Sequence, residues 1–315
     1  MAFRLRKTDC TTLECIADHR MLTVSQVAVI FGKSRHVVRR RLHDLEEGGM
    51  VQVVGTEFGR SRGRPENSLG LTEQGVGVLR DRGLLGRDIP CEKVLADCLA
   101  TADHQLLLNW FRIHLKEVER VLPRLSVRFL AHSSPYLPRG SDGPVSISDC
   151  SPVPGRGTQQ VRFTPDAVFA TCDSGQSKTC LFFLEVDCGT ETIASPKREA
   201  TDIRQKIINY QSYFRSLRYK RYEQVFNCSL HGFRLLLFTH SVGRLTTLCK
   251  LVQEMPPSNF IWLSEHRRLL ADGASGKIWA KGGNLQGSQE SILGSLHCRS
   301  PLLYRDSPRL DNVSA

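Results

Sequence analysis

Residues 22–54, LTVSQVAVIFGKSRHVVRRRLHDLEEGGMVQVV, decide how the first third of this 315-residue chain folds. Val24 to Phe31 has the length and apolar content of a short helix, and Gly32 can turn the chain sharply after it. Ser34 is a natural N-cap for a second helix, in which Val37, Val38, Leu42 and Leu45 recur at helical spacing and predict a buried stripe. The opposite face carries Arg35, His36, Arg39, Arg40 and His43, with Lys33 just ahead, and no acid interrupts the run from Lys33 to His43. Gly48 and Gly49 end that helix. Met50 to Val54 and Ser68 to Leu71 then predict a hairpin whose tip, FGRSRGRPENS, sets Arg60, Arg62 and Arg64 at every second residue. A major groove accepts a helix whose early residues touch base edges while its arginines straddle phosphates. A basic hairpin tip suits phosphates or the minor groove. These residues predict double-stranded DNA as the partner.

The composition agrees. A formal charge of +11 and an isoelectric point near 9.3 favour a polyanion, because released counterions drive a basic surface onto a phosphate backbone. The 40% hydrophobic and 24% charged content is that of an ordinary globular protein with room for two modest domains. No apolar run approaches the roughly 20 residues that span a bilayer, and MAFRLRKTDC lacks the apolar stretch of a signal peptide, so the expected location is the cytoplasm, with no membrane partner. Eleven scattered cysteines without one CxxC pair argue against a disulfide framework and against a zinc finger, and predict reduced thiols.

Downstream, residues 91–122 predict a long helix, amphipathic from Leu95 onward. Leu125 to Leu130 alternates like a strand, and residues 132–160, rich in Ser, Pro and Gly, read as a loop insertion. Val161 to Ala170 and Thr179 to Val186 are strand-like. A helix follows from Pro196 to about Arg218, then a strand (Phe233 to Thr239), a helix (Ser241 to Glu254) and another strand (Phe260 to Leu263). The expected organisation is a DNA-binding domain over residues 1–88, a mixed α/β domain over 91–282 and a flexible polar tail over 283–315.

The second domain holds a cluster of acids. Pro165-Asp166 lies within VRFTPDAVFA, and Glu185-Val186-Asp187 closes CLFFLEVDCGTE. Glu185 and Asp187, two apart on a strand, share a face, and Asp166 on a neighbouring strand can join them. Carboxylates gathered at a hydrophobic strand end call for a hard cation, Mg²⁺ or Mn²⁺, and such an ion can activate water against a phosphodiester.

At these residues the second domain resembles the PD-(D/E)xK nuclease superfamily, a restriction-endonuclease-like core of helix, three strands, helix and strand. The order of residues 10–85 resembles a bacterial winged helix-turn-helix. That domain, followed by PDAVF, FFLEVDCGTET, a helix with Lys206 and Tyr210, and the late Ile278-Trp279, is similar to the replication-relaxation family of plasmid and mobile-element proteins. The resemblance implies an α+β chain with a winged helix-turn-helix ahead of a nuclease-like core, a role in replication or DNA relaxation, and replication or mobile-element proteins as further partners. It also implies that Asp166 and Glu185 are metal ligands, with the Val186 carbonyl a third, and that the catalytic set is Asp166, Glu185, position 187 and a cation. The superfamily's lysine falls at Asp187, an acid; Lys206 on the following helix is the expected replacement, with Arg204 and Lys197 weaker ones.

A second, non-catalytic reading stays open, in which the nuclease-like fold is degenerate and serves protein contacts in a DNA-binding regulator. His104 and His240 read as hydrogen-bonded histidines, and Tyr210 and Tyr213 as helix-packing residues rather than nucleophiles. The chain contains no His-x-His, which disfavours a paired-histidine relaxase, and no GxxxxGK[ST], which removes support for an ATP-driven motor.

Overall fold

The computed structural model describes residues 5–56, 66–96, 102–140, 143–153, 158–195 and 202–296. The chain is a mixed α+β protein that divides into two compact units. One unit runs to Ile113 and takes in Ser133–Pro138; the other comprises His114–His132 and the chain from Arg139 onward. Among the described residues, no helix is long and apolar enough to cross a membrane, and no cysteine is in a disulfide.

The first unit begins with α1 (Lys7–His19), β1 (Met21–Thr23), α2 (Val24–Phe31) and α3 (Arg35–Glu47). The starts and stops are set by single side chains. Thr23 accepts from the Gln26 N–H while its own N–H donates to Gln26 Oε1, closing a reciprocal cap at the head of α2. Gly32 ends α2 in the left-handed region at φ +60, which a residue without Cβ adopts freely, and Ser34 caps α3 by accepting from the Val37 N–H. Next come β2 (Val51–Thr56), β3 (Asn67–Leu71) and α4 (Glu73–Asp81). The three strands form an antiparallel sheet in the order β1-β3-β2. Leu13, Ile16, Leu22, Val27, Val38, Leu42, Leu45, Leu71 and Val76 are buried. Val37 departs from the expected stripe. It is 47% exposed, because a helix turns about 100° per residue and Val38 already points at the core.

Helix α5 is described over Ala102–Val121; of the residues expected to open it, Cys91–Lys93 forms a 3₁₀ turn instead. In the second unit β4 (Leu125–Ala131) is followed by short strands β5 (Arg139–Gly140), β6 (Gly143–Pro144), β7 (Asp149–Pro152) and β8 (Gln160–Phe163). Residues 132–160 are thus more than a loop. β7 pairs with β8, Ile147 and Ser151 are buried, and the Ser151 hydroxyl donates to the Asn209 carbonyl at 2.8 Å. The single strand expected from Val161 to Ala170 is broken at Pro165, which has no N–H for a ladder, into β8 and β9 (Ala167–Asp173).

The chain continues through β10 (Lys178–Asp187), α6 (Ile203–Arg215), α7 (Arg221–Phe226), β11 (Phe233–Thr239), α8 (Val242–Gln253), β12 (Ile261–Glu265), α9 (His266–Asp272) and β13 (Ala280–Lys281). One six-stranded sheet has the order β13-β12-β11-β10-β9-β4, with β10, β11 and β12 parallel and the flanking pairs antiparallel. Leu181 to Asp187 are all buried, as expected of a central strand covered on both faces. Phe183 meets Tyr210, Tyr213, Tyr222 and Phe233 edge-on at centroid distances of 4.6 to 5.7 Å, fixing α6 and α7 against the sheet. The segment after Gly282, expected to be flexible, packs as far as it is described. Trp279 and Glu290 exchange backbone hydrogen bonds, and Ile292 is 3% exposed.

Two buried histidines set an acid sensitivity. Burial pushes His19 down to about 4 and His114 down to about 3. An unfolded histidine titrates near 6.5, so between roughly pH 6.5 and 4 the unfolded chain takes up protons that the folded chain refuses, and stability falls with pH. Each group accounts for a loss on the order of 3 kcal/mol by about pH 4. Urea melts at pH 7 and 4.5 should show a smaller fall for His114→Leu than for wild type; comparing the two proteins cancels every other titrating group. Equal falls would refute the assignment.

Candidate functional site

The candidate residues fall into two sets, one in each unit. In the first, α3 presents its outer face: Lys33, His36, Arg39 and Arg40 are exposed, and Arg35 is half-buried. Arg41, adjacent in sequence, is turned elsewhere. Its guanidinium forks onto the buried carboxylate of Asp9 and reaches Asp44 Oδ2 at 2.9 Å, tying α3 to α1. That pairing consumes an acid of α3 internally, and Glu47 lies 3.4 Å from His43, so the first two turns present cations to solvent. Arg60, Arg62 and Arg64 of the hairpin tip lie outside the described residues, as does Lys197.

In the second unit, the end of β10 holds Glu185, 6% exposed. Its Oε1 accepts from the Tyr210 hydroxyl at 2.5 Å and its Oε2 from Lys206 Nζ at 3.1 Å, both donors lying four residues apart on α6 and so on one helix face. Asp166 sits where β9 begins. Its N–H donates to the Leu184 carbonyl at 3.1 Å, and its Oδ2 accepts from the Val186 N–H at 2.7 Å. The side chain thereby continues the ladder that Pro165 interrupts. Because N–H and C=O of one strand residue share an edge, the Val186 carbonyl lies on the Asp166 side of β10.

Burial pushes the Glu185 carboxyl up to about 7; the Lys206 ammonium pulls against that rise and the charge of Asp166 adds to it. Lys206 stays charged, since burial is outweighed by Glu185 and by Glu191, whose Oε1 it meets at 2.7 Å. Burial, then Glu185, raises the Tyr210 phenol, which remains a donor.

Asp187 does not join the other two acids. Arg244 on α8 takes both of its oxygens, Nε at 2.6 Å and the terminal nitrogen at 3.1 Å, and the Gly189 N–H donates to Oδ1 at 2.9 Å. The same Arg244 nitrogen donates to the Glu191 carbonyl. Residues 187–191 are therefore held by one guanidinium, and Glu191 meets Lys206 from that segment. Sequence reasoning anticipated Lys206, assigned Tyr210 to packing alone, and did not single out Glu191 or Arg244.

Among the described residues no group of three or more His, Cys, Asp and Glu side chains is arranged to hold a metal ion. Two carboxylates still fit Mg²⁺, which is commonly held by one or two protein carboxylates and completes its shell with water and substrate phosphate. Asp166, Glu185 and the Val186 carbonyl are the hard oxygens available at this strand end.

No curated protein and no solved structure matches the chain. A family model described as replication-relaxation matches residues 13–228, well over half of the chain, a span that includes α3, Asp166, Glu185, Glu191, Lys206 and Tyr210 and stops before Arg244. With that match the chain belongs to the replication-relaxation family, which ties it to the replication or relaxation of plasmids and other mobile elements.

Proposed function

We propose that the protein binds double-stranded DNA of a mobile element through a winged helix-turn-helix in its first unit and acts on the phosphodiester backbone through a PD-(D/E)xK-like site in its second. Lys33, Arg35, His36, Arg39 and Arg40, with Arg60, Arg62 and Arg64, are the DNA contacts of this reading. Asp166 and Glu185 would hold Mg²⁺ or Mn²⁺, which when bound supplies an activated water and neutralises charge in the transition state. Lys206 offers its ammonium to the same charge, and Tyr210 orients Glu185. The observation that carries the reading is Lys206: an ammonium brought from α6 onto a buried acid beside Asp166, where sheet packing alone calls for no charge. It supplies the cation that position 187 lacks.

Incubation with supercoiled plasmid and Mg²⁺ or Mn²⁺ tests this directly. Nicked or linear product is expected, reduced by Glu185→Ala and by Lys206→Met. A protein that retains plasmid without cutting it under any metal condition would instead be a DNA-binding regulator, the reading that the commitment of Asp187 to Arg244 favours.

Metal binding has a readout of its own. A cation that neutralises Asp166 and Glu185 only in the folded state raises stability by mass action, about 2.7 kcal/mol at a hundredfold excess over its dissociation constant. The melting temperature should rise with Mn²⁺, and Asp166→Ala or Glu185→Ala should abolish the rise. A rise that persists in both variants would place the ion elsewhere.

A further inference from the structure

We propose that Val37 is a base-reading residue, packing against the C5-methyl of a thymine in the major groove. The proposal rests on the reading of α3 as the DNA-binding helix. Val37 is 47% exposed while the neighbouring apolar residues of the same helix, Val38, Leu42 and Leu45, are buried. Neither core packing nor helix propensity explains a valine there: a β-branched side chain loses rotamer freedom in a helix, and alanine would serve a solvated position better.

Its placement supplies the explanation. Val37 lies in the first turn of α3, where its N–H meets the Ser34 hydroxyl, and the early residues of a recognition helix are those that reach base edges. At spacings of three and four residues along α3 its neighbours are Arg40 and Arg41, and Lys33 lies just ahead of the Ser34 cap. Lys33 and Arg40 are exposed cations suited to phosphates, and phosphate contacts carry no sequence information. An apolar group set among them has one counterpart in the groove, since the thymine methyl is the apolar group that a base pair presents there.

The test uses the full-length protein and Val37→Ala, a change that keeps every cation and favours the helix. A pool of random-sequence duplexes is selected on wild type, and the enriched duplex is resynthesised with single thymines replaced by uracil, which removes only the methyl. Affinity for unselected duplex should be unchanged in the variant, while affinity for the enriched duplex falls about fourfold, the effect of one buried methyl-sized group. Uracil at one position should cost wild type the same factor and cost Val37→Ala nothing. An equal uracil penalty in both proteins, or no sensitive position in wild type, overturns the proposal alone. A wild type that enriches nothing from the pool removes the DNA-binding reading of α3 and this proposal with it.

Discussion

Asp187→Lys will destabilise the protein and will not create or improve cleavage, although it installs the lysine that the resemblance to the PD-(D/E)xK nucleases implies at this position. Asp187 is 7% exposed and both of its oxygens are taken by Arg244, itself largely buried. Removing one partner of a buried pair leaves an uncompensated charge and costs about 3–5 kcal/mol; placing an ammonium against the guanidinium adds repulsion to that loss. The damage spreads along the segment, because Arg244 also holds the Glu191 carbonyl and Glu191 holds Lys206. Asp187→Asn, which keeps the shape and one acceptor, should fall between wild type and the lysine variant. Urea denaturation gives the stabilities, and Asp187→Asn combined with Arg244→Met should cost less than the two single changes added together. A lysine variant as stable as wild type, cutting plasmid faster, would mean that position 187 is a lost catalytic site rather than an anchor.

That outcome bears on what a sequence can carry. Helices α2 and α3 and strand β11 were legible because their signals are local: a threonine or serine cap, a glycine stop, an apolar run of strand length. The nearness of Lys206 to the acids came from the family resemblance instead, which calls for a cation there, and from no local signal. Arg244 lies 57 residues from Asp187, and no spacing rule joins an arginine on one crossover helix to an acid on a strand four elements earlier. Strand β7, within residues 132–160, was hidden differently. β7 is held to α6 by polar contacts, Ser151 to the Asn209 carbonyl, the Ser212 hydroxyl to the Pro152 carbonyl at 2.6 Å and the Tyr213 hydroxyl to Asp149 at 2.7 Å, so no apolar periodicity marks it. Val37 was misread because a stripe drawn from residue types cannot say how wide the core contact is.

Replacing Arg39 and Arg40 together with alanine will weaken DNA binding by a few kcal/mol, because two phosphate or base contacts go, each worth roughly 1–3 kcal/mol. Stability should change little. Both side chains are exposed on α3, and alanine is the best helix former, so a lost affinity cannot be blamed on a lost fold. Salt adds a second, independent reading: if both arginines neutralise phosphates, the slope of log affinity against log salt should become shallower by about 1.8, close to 0.9 per contact. Arg41→Ala is the internal control. Its partners are Asp9 and Asp44, so it should lower the urea midpoint, through an unpaired buried Asp9, and leave the salt slope unchanged. The three outcomes separate a DNA-facing surface from a merely solvated one, since a solvated basic face would show the same affinity and the same slope in all three proteins. Unchanged affinity in the Arg39/Arg40 variant, with α3 intact by circular dichroism, would move the DNA contact off this helix.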